Sequence, residues 1–162
     1  VAYFNYFAVP SRNMEITIRT NETTEAWRAF LLAHARVTRI LDEDLRRETG
    51  LNLGWYEVLL LLAGAPGQRL RMSDLADSMI LSRSAATRLV DRLERDGLVD
   101  RTVCDTDRRG MEVSLTDAGR DRFLVAGRLH LRGIEEHFGA HLDRSELEVV
   151  TEALTKVADA NH

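Results

Sequence analysis

The stretch SDLADSMILSRSAATRLVDRLERDGLVDRTVCDTDRRG, Ser73 to Gly110, decides the reading of this chain. Ser73 followed by Asp74 and Asp77 predicts a capped helix over 74–80, with acids early, where the helix dipole favours them. Ser82 is the expected N-cap of a second helix. Within it Ala86, Leu89, Val90 and Leu93 fall at i, i+3, i+4 and i+7, the spacing of a buried face, and Gly97 supplies the stop. Leu98–Val103 and Met111–Leu115 are short runs on either side of the polar segment Asp105–Gly110, which reads as a hairpin. The order is helix, turn, helix, arginine-tipped hairpin.

Opposite the apolar stripe of the second helix stand Arg83, Ser84, Thr87, Arg88 and Asp91. Small polar residues in the N-terminal half of a helix permit close approach to a base edge, and arginine reaches a guanine or a phosphate. Alone, such a helix also fits a solvated surface. Joined to the capped helix before it and the Arg108–Arg109 hairpin after it, the pattern points to binding of double-stranded DNA.

Charge tests that reading. The chain of 162 residues carries a formal −4, against a generally basic nucleic-acid binder. Between Gly67 and Glu112, nine arginines are balanced by nine acids, so the negative excess lies elsewhere. An acidic body beside a neutral, arginine-bearing reader is compatible with specific DNA binding. Hydrophobic residues make up 44% and charged residues 30%, a globular composition. The longest apolar run, Val58–Ala63, is too short to cross a bilayer, and no membrane partner is expected. Cys104 is the single cysteine, which excludes an intramolecular disulfide and fits a reducing cytoplasm.

Outside Ser73–Gly110 the periodicity is helical. Trp27, Phe30, Leu31, His34, Val37, Leu41 and Leu45 mark a helix over 25–48, with Thr24 as cap and Gly50 as stop. LGWYEVLLLLA, 53–63, is apolar nearly all round and should be buried. Arg69–Met72 is a short extended piece. Thr116 caps a long helix to about Phe138, and Asp143-x-x-Glu146 has the form of a capping box opening a last helix. Residues 1–24 read as a flexible N-terminal extension, of which the first thirteen are flexible or non-native, with Met14 as a candidate start. Residues 25–50 and 117–160 form a helical dimerisation region around a DNA-binding unit at 51–116. The flanking stripes have little sequence to bury them within one subunit, so pairing with a second copy is the economical solution.

At these residues the chain resembles the MarR family of winged helix-turn-helix regulators. The resemblance lies in SDLADSMILSRSAATRLVDRLERDGLV, in the wing DTDRRGMEVSLTDAG and in the upstream WYEVLLLLAGAPG, and covers about Glu25 to Val157. It implies a mainly α fold with a small β-wing, the winged helix-turn-helix flanked by N- and C-terminal dimerisation helices. It further implies a homodimer on a pseudopalindromic operator, usually a repressor and often released by a small molecule. Carried over by position, Ser84, Thr87 and Arg88 enter the major groove, beside Ser82 and Arg83. Arg109 enters the minor groove, Asp107 steadies it and Arg108 meets a phosphate.

The signal is less defined. Trp27, Phe30, His34, Trp55 and Tyr56 would line a crevice for a small aromatic or apolar ligand, although aromatics at helical spacing also fit plain core. Cys104 is the redox candidate, which a lone, passive thiol fits as well. His130, His137 and His141 lack a supporting constellation, and no metal is expected. No enzymatic activity is expected, because no phosphate loop, nucleophile elbow or HExxH is present, and no cofactor is expected either. The alternatives to a ligand-released repressor are a redox-responsive regulator through Cys104 and a winged helix that binds protein instead of DNA.

Overall fold

The computed structural model describes residues 21–79, 81–104 and 107–161, with the backbone alone at 107–109. The expected N-terminal extension lies outside the described residues as far as residue 20. The chain divides into two compact units, 1–33 and 34–162.

Helix α1 runs Glu22–Thr49, starting three residues before the expected point. Asn21, rather than Thr24, takes the cap position. The Asn21 side chain accepts from the Thr24 amide, and the Thr24 hydroxyl accepts from the Asn21 amide, each at 2.9 Å. Thr24 is therefore the returning half of the cap, a role the sequence alone does not separate from the cap itself.

The second unit is built around α2 (Leu53–Gly64), whose apolar circumference buries Tyr56, Val58, Leu59 and Leu62. Asp42 of α1 fixes its start by accepting from the Leu53 amide at 2.7 Å. After a short 3-10 turn, β1 (Arg69–Arg71) leads directly into α3 (Met72–Ser78). The expected Ser73 cap is not formed. The helix begins two residues earlier, as β1 ends, and the Ser73 hydroxyl donates to Asp74 instead. α4 spans Arg83–Arg95, β2 Val99–Cys104 and β3 Asp107–Leu115. The strands form one antiparallel sheet in the order β1-β3-β2. α5 (Asp117–His137) and α6 (Arg144–Asp159) follow, with Thr116 and Asp143 capping as expected and both halves of the Asp143–Glu146 capping box present.

One apolar core joins these elements. It holds Leu45 of α1, the inner face of α2, Leu75 of α3, Val90 and Leu93 of α4, Leu98, Val99 and Val113 at the sheet, and Ala126 of α5. Burial of ten fully enclosed Leu and Val side chains fixes the reader's elements against α2. Among the described residues no helix is long and apolar enough to cross a membrane.

Candidate nucleic-acid interface

α4 has two chemically opposed faces. Ala86, Val90 and Leu93 are buried against the core, while Ser82, Arg83, Ser84, Thr87 and Arg88 are all exposed. The helix starts where it does because the Ser82 hydroxyl accepts from the Ala85 amide at 3.2 Å, satisfying an amide with no helical partner. The Ser82 and Ser84 hydroxyls share a hydrogen bond at 3.2 Å, and Thr87 donates to the Arg83 carbonyl at 2.8 Å. Both contacts hold short polar side chains close to the helix surface, leaving Arg83 and Arg88 as the long groups on that face. The end is equally defined. Gly97 adopts φ +69°, its amide donates to the Glu94 carbonyl, and that of Leu98 donates to Leu93. This is the paired bonding of a Schellman stop, which turns the chain straight into β2.

β2 and β3 form the hairpin. They run in register from Val99↔Leu115 to Val103↔Met111, then shift so that Cys104 opposes Asp107. The strand therefore reaches Asp107, further than the expected start at Met111. The shift absorbs residues 108–110 as an irregularity near the tip. The side chains of Asp107, Arg108 and Arg109 lie outside the described residues. The base of the hairpin is pinned to α5. The Thr116 amide donates to the Leu98 carbonyl, and its hydroxyl donates to the Gly97 carbonyl at 2.7 Å. Arg101, on β2, donates to Glu94 of α4 through Nε at 2.9 Å and Nη2 at 2.6 Å, and through Nη2 to Asp91. These bonds, that to Glu94 first, raise the guanidinium pKa further.

This geometry can be set beside known proteins. A family model described as MarR family matches residues 49–110. AbsC, a MarR family transcriptional regulator from Streptomyces coelicolor, is 31% identical with TM-score 0.80, over 93% of this chain and 97% of its own. The chain belongs to the MarR family. Sco3205, another Streptomyces coelicolor MarR family regulator, solved in complex with DNA, is 30% identical with TM-score 0.81 over 88% of this chain and 93% of that one. The transcriptional repressor MdtR of Bacillus subtilis (strain 168) is 34% identical over 93 residues, 56% of this chain and 58% of that protein. The chain thus spans about three-fifths of this curated relative, a member of a family of regulators rather than enzymes.

In this MarR-family chain the five expected pocket residues behave differently. Trp27 and Phe30, in the N-terminal unit, are exposed and pair with each other at 5.6 Å between ring centroids. His34 is exposed and Trp55 half-buried. Tyr56 is core, as the alternative reading had it: 5% exposed, stacked on Phe123 at 5.8 Å and tilted against His130 at 4.6 Å. Cys104 is 2% exposed, and its thiol donates to the Glu112 carboxylate at 3.0 Å. A reactive thiol is partly exposed and electropositive in its surroundings, so this setting weighs against the redox reading.

Three residues have roles that pattern reading missed. Arg101 ties hairpin to helix across seven and ten positions of sequence. Gly119 lets α5 pass against the Leu98 carbonyl, and the LTDAG match was its only signal. His130 packs on Tyr56, with Nδ1 buried and no hydrogen-bond partner among the described residues.

Proposed function

We propose that this protein is a dimeric, sequence-specific DNA-binding transcriptional regulator that acts as a cytoplasmic repressor. The observation that carries the reading is the exposed N-terminal half of α4. Five polar residues, two of them arginines, stand on one face of a helix whose other face is locked into the core. The core backing holds these side chains in a fixed setting, as readout of base edges requires. The DNA complex of Sco3205 and the repressor name of MdtR support the same assignment.

In this reading Ser84, Thr87 and Arg88 meet base edges, Ser82 and Arg83 meet the backbone at the helix entry, and the Arg109 wing enters the minor groove. Arg108 contacts a phosphate, and Asp107 steadies Arg109. The homodimer places two such helices on a pseudopalindromic operator. Release by a small aromatic or apolar ligand is the regulatory step. Selection of bound duplexes from a random pool supplies the operator. On it, Arg88→Ala and Arg109→Ala should each cost about 1–3 kcal/mol at fixed salt. Arg88→Ala should also relax preference at one base-pair position. Unchanged affinity in a titration of Arg88→Ala would remove α4 as the reading helix.

A further inference from the structure

We propose that Arg101 is the positioning residue that fixes the wing at a set angle to the reading helix, by forking its guanidinium onto two carboxylates of that helix. The proposal rests on the DNA-binding reading above and adds to it the residue that makes helix and wing act as one rigid body.

Asp91 and Glu94 stand one turn apart on α4, on the C-terminal side of Thr87 and Arg88. Acids there oppose the helix dipole, and on a helix that approaches DNA they face a polyanion. Arg101 accounts for both. Its Nε and Nη2 hold Glu94 at 2.9 and 2.6 Å, and Nη2 also holds Asp91. Its own side chain is 19% exposed against 42% and 41% for the two acids, so the cation is the covered member of the cluster.

The position along β2 gives the cluster its mechanical meaning. Residues 99, 101 and 103 share one strand face. Val99 is fully buried, Arg101 is largely covered, and Val103 is 55% exposed. Arg101 is thus the last residue on that face held by the body of the protein. Behind it, the hairpin is tied at its base by Thr116 and by the Gly97 turn. With a base tether and an Arg101 tether the strand pair is fixed in direction as well as in origin. A planar fork suits this, because it satisfies two acceptors with fixed geometry, whereas an ammonium holds one point.

The test compares Arg101→Lys, Arg101→Gln and the double variant Asp91→Asn/Glu94→Gln with wild type, by fluorescence anisotropy on the selected duplex at fixed salt. Electrostatics and positioning predict opposite signs for the double variant. It removes two negative charges near DNA, so charge alone predicts tighter binding, whereas loss of the clamp predicts binding about tenfold weaker, the scale of a lost charged hydrogen bond. Arg101→Lys should lose nearly as much as Arg101→Gln. On a duplex trimmed of the flanking base pairs that only the wing reaches, all variants should bind like wild type. Equal or tighter binding by the double variant, or full rescue by lysine, overturns the proposal. Amide deuterium exchange without DNA gives an independent arm. The variants should exchange faster over 101–104 and 107–112, with the melting temperature little changed, and unaltered exchange there also overturns it. Failure of wild type to bind any duplex would instead remove the DNA reading, and the exchange arm would still decide the clamp.

Discussion

Gly119 shows how much can depend on one missing side chain. The first turn of α5 passes so close to the turn between α4 and β2 that a Cβ at this position would lie 1.9 Å from the Leu98 carbonyl oxygen. That oxygen accepts from the Thr116 amide, so it cannot retreat without breaking the pin at the hairpin's base. The obstacle is backbone rather than a flexible side chain, so relief requires moving α5 or the hairpin. Gly119→Ala should therefore destabilise by about 2–3 kcal/mol or more, beyond ordinary overpacking, despite alanine's better helix propensity. Urea unfolding measures this, and a gain in stability would show that α5 and the Leu98 turn are not in contact. Gly133 faces a lesser version of the same problem, with Leu41 Cδ2, a movable atom, at 2.6 Å.

Among elements, the α2–α5 packing is where chemistry and stability meet. His130 of α5 lies against Tyr56 of α2, and burial pushes its pKa below the ordinary 6.5. The unfolded chain then takes up the proton at a higher pH than the folded one. The contribution is stabilising above the ordinary histidine range and is lost as pH falls through 6.5 toward the lower folded value. The melting temperature should accordingly drop between about pH 7.5 and 5.5, and His130→Phe should flatten that slope. An unchanged slope in the variant would place the pH dependence elsewhere.

Element positions were legible where one helix face or one cap carries the signal, as in the α4 stripe, the Ser82 and Thr116 caps and the Asp143–Glu146 box. Legibility failed where two local solutions compete. Asn21 and Thr24 satisfy each other, and sequence does not say which is the cap. Ser73 looks like a cap but is pre-empted by β1 running straight into α3. The candidate site was legible as a set of polar residues on α4, which the structure leaves exposed. The Arg101 clamp was not, because it depends on the register in which β2 returns past α4. The Tyr56–His130 contact was hidden for the same reason, being a meeting of helices 74 positions apart in sequence.

For the whole molecule, the outer faces of α5 and α6 carry apolar side chains that one chain leaves uncovered. Leu124, Val125 and Leu131 on α5 and Val149, Leu154 and Val157 on α6 are all exposed. α6 buries no residue at all within the chain. Pairing with a second copy explains this distribution, so light scattering should return twice the 18.4 kDa chain mass. Leu131→Glu, at the most exposed of these positions, should shift the particle toward one chain and weaken operator binding with it. A dimer unaffected by that change would place the interface elsewhere. The net charge of −4 offers DNA no overall attraction, so association must rest on local arginines.

The most direct test of the central claim is the salt dependence of binding to the selected duplex. If α4 and the wing of two subunits neutralise phosphates, the logarithm of affinity should fall linearly with the logarithm of salt concentration, by about 0.9 per phosphate contacted. Arg88→Ala should keep the linear form while weakening the selected duplex more than a scrambled one. Affinity that is flat in salt, or equal for the selected and scrambled duplexes, would contradict the assignment of this helix and wing to DNA.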